Sequence, residues 1–268
     1  MRQQTILKNL RQTKPLVHCI TNIVVANFQA NSLLALGASP IMADSLEESA
    51  EIAAISSCTL LNIGTLDSTT VDSMIAAGKS AIQHGRPLIL DPVGAGATAF
   101  RKQTVDHLLN TLDFSLIRGN AGEIAAIAGV EWNAKGVDAG SGDVDITDAA
   151  KQVALQNNCL VAVTGETDLV TDGERVIRIS GGHELMSLVT GSGCLLSAVA
   201  GAFLAVSQGD ALHTAAESLA FYKKAGEIAA EQSFGPGDFA MNFLNTLHST
   251  ESSDVTDDQF QYEQGVMS

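Results

Sequence analysis

Short apolar, β-branched runs recur along this chain, separated by stretches long enough for a helix, and that alternation limits the fold more than any other feature. The runs Leu60–Ile63, Pro87–Asp91, Phe114–Arg118 and Leu160–Thr164 read as strands. Helical patterns fall at Ile23–Leu36, Leu46–Ile55, Ser68–His84, Phe100–Leu112, Ala121–Ala128 and Asp148–Asn157, and Gly37 stands where a helix C′ glycine belongs. Strands joined through helices pair in parallel, so the chain is expected to form an α/β fold with a mostly parallel central sheet flanked by helices. Hydrophobic residues make up 46% of the sequence but aromatics only 4%, so Ala, Val, Leu and Ile must build the core. Such a mixture suits strands buried on both faces.

One stretch breaks the alternation. Residues 168–180 read as a β-hairpin turning at Asp172-Gly173, a dipeptide favoured by type I′ turns. After it come Gly191-Ser-Gly193, a wholly apolar run from Cys194 to Val206 read as a buried helix, and a long helix over Asp210–Gln232. Without a repeat or linker, residues 1–248 are expected to form a single domain. Residues 249–268 hold five acids and no Lys or Arg and are expected to be a disordered, solvating tail without a site.

A formal net charge of −15 argues against a nucleic-acid partner, because a phosphate backbone attracts a basic surface. Cys19, Cys58, Cys159 and Cys194 lie far apart without CxxC spacing, which fits neither a structural zinc site nor a disulfide framework and makes a reducing cytoplasm the expected compartment. The N-terminal fifteen residues lack the apolar region of a signal peptide, and the longest apolar run is too short to span a bilayer.

Chemistry gathers in a few segments. Gly191-Ser192-Gly193-Cys194 opens an apolar helix, where first-turn N–H groups can face an anion. It is neither a Walker A loop nor a dinucleotide fingerprint, and it reads equally as a tight turn into a core helix. Asp91 ends a strand before Pro-Val-Gly-Ala-Gly96, the edge where open α/β sheets bind ligands, and it reads also as a turn or cap aspartate. Asn120 and Glu123 have capping-box spacing. Alternatively, Glu123 and Asp91 hold a hydrated Mg²⁺, a metal that keeps several waters. Thr164 ends a further strand, where its hydroxyl can meet phosphate or ribose. Asn22 is a helix cap or a reader of a ring nitrogen or hydroxyl, and His18 reads as a core histidine.

Taken in order, Leu16-Val-His-Cys-Ile-Thr-Asn22, Ala38-Ser-Pro-Ile-Met42, Asp91-Pro-Val-Gly-Ala-Gly96, Arg118-Gly-Asn-Ala-Gly-Glu123, Ala162-Val-Thr-Gly165 and Gly191-Ser-Gly-Cys194 closely resemble the hydroxyethylthiazole kinase family over about residues 15 to 245. The resemblance implies a ribokinase-like fold and ATP-dependent phosphorylation of the primary alcohol of 4-methyl-5-(2-hydroxyethyl)thiazole, a step of thiamine salvage. It implies Arg118 and Thr164 as ATP contacts with Asn120 beside them, Met42 and Gly191 as thiazole contacts, and Asn22 and Gly64 in the same pocket. Asp91 and Glu123 would govern Mg²⁺, Gly191–Cys194 would form the anion hole, and Cys194 takes the catalytic position. Its thiol, at a helix N-terminus, is expected to have a lowered pKa. The family's homotrimers place active sites between subunits. Ser192 stands where many members have Thr.

Other readings predict different observations. A kinase of a hydroxymethylpyrimidine or pyridoxal alcohol usually keeps Asp at the position of Cys194. A non-catalytic nucleotide-binding subunit would lose the metal acids or the glycine anion hole. A cysteine hydrolase needs a histidine and an Asn or Asp brought to Cys194.

Overall fold

The computed structural model describes residues 3–130 and 145–263. Its elements, in chain order, are α1 (Gln3–Thr13), β1 (Leu16–Ile20), α2 (Ala26–Leu36), β2 (Ser39–Ile41), α3 (Ser49–Ile55), β3 (Cys58–Asn62), α4 (Ser68–Gln83), β4 (Leu88–Asp91), α5 (Ala99–Thr111), β5 (Leu116–Asn120), α6 (Ala121–Ala128), α7 (Ile146–Asn157), β6 (Leu160–Thr164), β7 (Asp168–Thr171), β8 (Val176–Ile179), α8 (Ser192–Ala205), α9 (Ala211–Glu231), α10 (Pro236–Ser249) and β9 (Phe260–Glu263). One nine-stranded sheet has the order β2-β1-β3-β4-β5-β6-β7-β8-β9 among the described residues. Pairings from β2 to β6 are parallel and those from β6 to β9 antiparallel. The expected α/β fold is present.

Side chains alternate across the strands as a pleat requires. Cys58, Leu60, Ile89 and Leu116 join α1, α2, α8, α9 and α10 on one face. Leu61, Ile63, Leu88, Leu90 and Ile117 join residues of α3 to α7 on the other. Burial on both faces explains the near-continuous apolar character of the central strands. Among the helices, α8 lies deepest, with every residue from Leu195 to Leu204 buried. Gly201 lets it approach the sheet, since a Cβ there would stand 3.1 Å from Ile89 and 3.3 Å from Cys58.

Three expectations are corrected. Segment 249–268 is not a disordered tail as far as it is described. Residues 252–254 and 257–259 form short 3₁₀ turns, and β9 pairs antiparallel with β8. Phe260 is buried at the start of β9, and the strand's hydrogen bonds outweigh the solvation its acids would gain from an open coil. Residues 264–268 lie outside the described residues. Second, the 168–180 hairpin forms, but with a four-residue connection between Thr171 and Val176. Gly173 has φ +98° while Asp172 does not have positive φ, so the turn is not type I′. Instead the Asp172 carboxylate accepts the N–H groups of Glu174 and Arg175 at 3.0 and 2.8 Å. Third, the segment from Leu16 to Ile20 is a strand, paired between β2 and β3, and the expected helix from Ile23 begins only at Ala26. Gly37 does close that helix, at φ +104°.

Candidate active site

The parallel register brings strand ends together at the carboxyl edge of the sheet. Asn62 lies opposite Asp91, and Asn120 opposite Thr164. Residues just past β1, β3, β4, β5 and β6 therefore face the start of α8, and this edge carries most of the residues singled out above.

At its centre is a buried polar chain. Asp91 is fully buried, and its Oδ2 accepts from Asn62 Nδ2 at 2.7 Å and from Ser197 Oγ at 2.9 Å. Asn62 Oδ1 in turn accepts from Asn22 Nδ2 at 3.0 Å and the Gly64 N–H at 2.9 Å. Asn22 Nδ2 also points at Cys194 Sγ, 3.5 Å away, while Asn22 Oδ1 accepts the Val25 N–H. Asn22 thus serves as both a turn cap and a site residue. Gly64 must lack a side chain, because a Cβ would sit 2.7 Å from Asn22 Nδ2. Burial, opposed by the Arg118 guanidinium, pushes the Asp91 carboxyl up to about 6. Its Oδ1 has no hydrogen-bond partner and lies 3.8 Å from Arg118 Nη1.

Arg118 is buried with its guanidinium beneath the first turn of α8: a Cβ on Gly193 would stand 3.1 Å from Nη1. Its Nη2 donates to Thr164 Oγ1. Gly191 precedes the helix at φ +94°, a conformation that favours glycine, and offers no side-chain cap. The first intrahelical bond runs from the Leu195 N–H to Gly191 O. Ser192 turns its N–H toward Val189 O at 3.3 Å, so the expected anion hole loses part of one donor. The N–H groups of Gly193 and Cys194 find no acceptor among the described residues.

Cys194 does not have the expected lowered pKa. Burial and the Asp91 carboxylate push the thiol up to about 11, overriding the helix end. An amide, not a histidine, meets its sulfur, which departs from what a cysteine hydrolase needs. His18 is a core histidine, buried with Nε2 2.7 Å from Ala43 O.

Asn120 and Glu123 form the capping box: Asn120 Oδ1 accepts the Glu123 N–H, and Glu123 Oε2 accepts the Asn120 N–H. Glu123 does more than cap, for its Oε1 takes the Gly94 N–H at 2.9 Å and ties the loop after β4 to that after β5. Met42 follows β2 at the same sheet edge, 36% exposed, and Ile23 and Val24, just past β1, are strongly exposed.

A cleft of about 580 Å³ opens from Arg118, Thr164, Ser192 and Gly193 toward Gly181–His183 and Lys223. Several contributors escaped the sequence reading. Asn62 ends a strand as Asp91 does, and Ser197 is the hydroxyl inside an apolar helix; both positions were readable signals. Gln29, whose Nε2 holds Cys194 O at 2.9 Å, gave none. Arg101 donates to Ile63 O, Val93 O and Gly64 O, joining the loops after β3 and β4.

The hydroxyethylthiazole kinase family model matches residues 7–253. Hydroxyethylthiazole kinases from Exiguobacterium sp. (strain ATCC BAA-1283 / AT1b) and Lysinibacillus sphaericus (strain C3-41) are 51% and 52% identical to this chain over 243 and 244 residues. These alignments cover 91% of this chain and 92% and 95% of the relatives. The solved hydroxyethylthiazole kinase protein of Pyrococcus horikoshii OT3 superposes with a TM-score of 0.85 at 36% identity, covering 98% of each chain. A ribokinase-like superfamily protein from Enterococcus faecalis V583 shares the fold at a TM-score of 0.64 and 12% identity, over 91% of this chain and 88% of its own.

Proposed function

The chain belongs to the hydroxyethylthiazole kinase family, and from that membership we propose that it phosphorylates the primary alcohol of 4-methyl-5-(2-hydroxyethyl)thiazole with ATP, the product serving thiamine phosphate synthesis. The observation that carries the reading is the pair of unpartnered N–H groups at Gly193 and Cys194, set over the Arg118 guanidinium at the end of a nucleotide-sized cleft. Phosphoryl transfer spreads charge over the equatorial oxygens and asks for positioning and electrostatic stabilisation rather than covalent help. The anion hole of Gly191, Ser192, Gly193 and Cys194 receives that charge. Arg118 supplies a fixed cation, and Thr164, holding Arg118, lines the ATP side. The thiazole alcohol lies toward Asn22, Gly64, Gly191 and Met42. Asn120 borders the nucleotide side, its amide oxygen engaged by the cap.

Two carboxylates at adjacent strand ends suit a hydrated Mg²⁺. Among the described residues no cluster of three or more His, Cys, Asp or Glu is built to hold a metal, so Asp91 and Glu123 would act chiefly through water and the nucleotide. The partnerless Oδ1 of Asp91 leaves an acceptor for that role. Bound with ATP, the ion would neutralise phosphate charge. Cys194, protonated near neutral pH, orients the attacking hydroxyl through a hydrogen bond, and the hydroxyl proton leaves late, to an oxygen of the transferred phosphoryl group.

Exposed Ile23, Val24 and Leu46 near the thiazole side support a homotrimer with pockets between subunits. Four free cysteines support a reducing, cytoplasmic setting. No helix among the described residues is long and apolar enough to cross a membrane.

A coupled ADP-release assay over hydroxyethylthiazole, hydroxymethylpyrimidine and pyridoxal tests the reading. Turnover should be highest with the thiazole. Preference for another alcohol would move the enzyme to a sister specificity, and no ADP with any of them would sink the kinase assignment.

A further inference from the structure

One wall of the cleft is held by a face of α9. Lys223 is a lysine inside the protein, its side chain 6% exposed. Its Nζ donates to Glu166 O at 2.8 Å, Gly181 O at 3.0 Å and Gly165 O at 3.3 Å, and lies 3.3 Å from Asp168 Oδ1. An ammonium has three protons, and four oxygens surround this one, so it has none left to offer a phosphate. One helical turn on, Glu227 Oε1 accepts the Gly182 N–H at 3.0 Å, and its Oε2 meets Lys224 Nζ at 3.1 Å. Asp168 Oδ1 likewise accepts the Gly165 N–H at 2.9 Å.

Both loops so held line the cleft. Gly181 and Gly182 lie at φ +102° and +86°, and a Cβ on Gly181 would fall 2.5 Å from Glu227 Oε1. A backbone in this conformation, without side chains of its own to pack, needs outside contacts to stay in one place. Lys223 and Glu227 supply them from a single rigid helix, and Lys223 binds the turn between β6 and β7 into the same clamp.

We propose that Lys223, with Asp168 and Glu227, positions the nucleotide site: it fixes residues 165–168 and the Gly181-Gly182 pair against α9, so that this wall is formed before the nucleotide arrives. The proposal rests on the cleft taking ATP. Preformed sites lower the ordering cost of binding, so the effect belongs to nucleotide affinity and not to the thiazole side.

Lys223→Met alone strands the Asp168 charge and risks the fold, so the informative protein is Lys223→Met with Asp168→Asn, which removes the pair together. It should melt close to the wild type, with KM and Kd for ATP raised about 10- to 100-fold, as expected for a small misplacement of binding groups. KM for the thiazole alcohol should change less than about twofold. A folded double variant that binds ATP like the wild type overturns the proposal. Hydrogen exchange on the wild-type enzyme free of nucleotide provides a second measure that does not depend on variants or on which nucleotide is used. The Gly165 and Gly182 amides should already be protected; fast exchange there, slowed only when ATP is added, would equally overturn it. A wild type inactive with ATP would instead break the kinase reading, while the exchange result would still judge the clamp.

Discussion

α6 and α8 both start at the carboxyl edge of the sheet, yet one closes its N-terminus and the other leaves it open. In α6 a reciprocal capping box satisfies the helix start, and Glu123 reaches on to Gly94. In α8 a left-handed glycine replaces the cap, and two N–H groups find no acceptor among the described residues. A short helix with few buried residues relies on its cap, whereas α8 is supported by ten consecutive buried residues and can leave donors unsatisfied. Where tertiary packing carries a helix, its end becomes available for chemistry.

The sharpest way to break this contrast is to spoil the open end. Gly193→Val should place methyls against Arg118 and into the anion hole. Turnover should fall about 10²- to 10³-fold, as for loss of an anion-hole donor, with near-normal melting. Wild-type kinetics would mean that the free N–H groups are not used.

Between the two helix starts lies Asp91. With its folded pKa near 6, above the ordinary carboxylate value, it favours folding fully at low pH; that support is lost as pH rises from about 4 through 6. Roughly 3 kcal/mol is at stake. Urea titrations in a chelator should show this decline in the wild type and its absence in Asp91→Asn, whose turnover should be abolished. Identical pH profiles would contradict the desolvated, only partly compensated state of Asp91.

At the closed end, Glu123→Ala removes the acceptor for two backbone N–H groups. Stability should fall by about 0.5–2 kcal/mol. Turnover should drop about 10- to 100-fold, partly restored by raised magnesium. A variant that folds and turns over normally at every magnesium concentration would reduce Glu123 to a cap.

Cys194→Ala should cost less than about tenfold in kcat, because a thiol protonated at neutral pH cannot supply the 10²- to 10⁴-fold of a general base. A larger loss in a protein that melts normally would restore the base. Smallest of all, Asn120→Ala should lower stability by about 1 kcal/mol and leave kcat nearly unchanged, as thermal melts and kinetics would show.

The parallel strands legible in the sequence are those whose burial on both faces writes an apolar run, β3 to β6, and the β7–β8 hairpin was legible from its turn residues. β1 was missed because His18 and Cys19 interrupt Leu16–Ile20, although both are buried there. α10 carried a readable signal, with Pro236 at its first turn and Phe239, Phe243 and Leu247 spaced four apart on one buried face. The site's acids and glycines stood out because strand ends and left-handed turns constrain residue type. Lys223 did not, since a lysine in a long helix reads as solvent-facing; only its place four residues after buried Leu219 and four before half-buried Glu227 hinted that it points inward. Which polar groups actually meet depends on strand order, and sequence spacing does not state that order.

The sheet's two outer strands carry a further consequence, for solubility. An unpaired strand edge invites another chain to add to it. On one side β2 is only three residues long and contains Pro40, which has no N–H to offer. On the other, β9 shields β8 and turns Gln261, Tyr262 and Glu263 outward, with Glu263 bound to Arg178 at 2.5 Å. The acidic segment thus works as a selvage. Without it, the apolar row of β8 would be bared to its neighbours, and the first symptom of losing β9 would be aggregation rather than a slower enzyme.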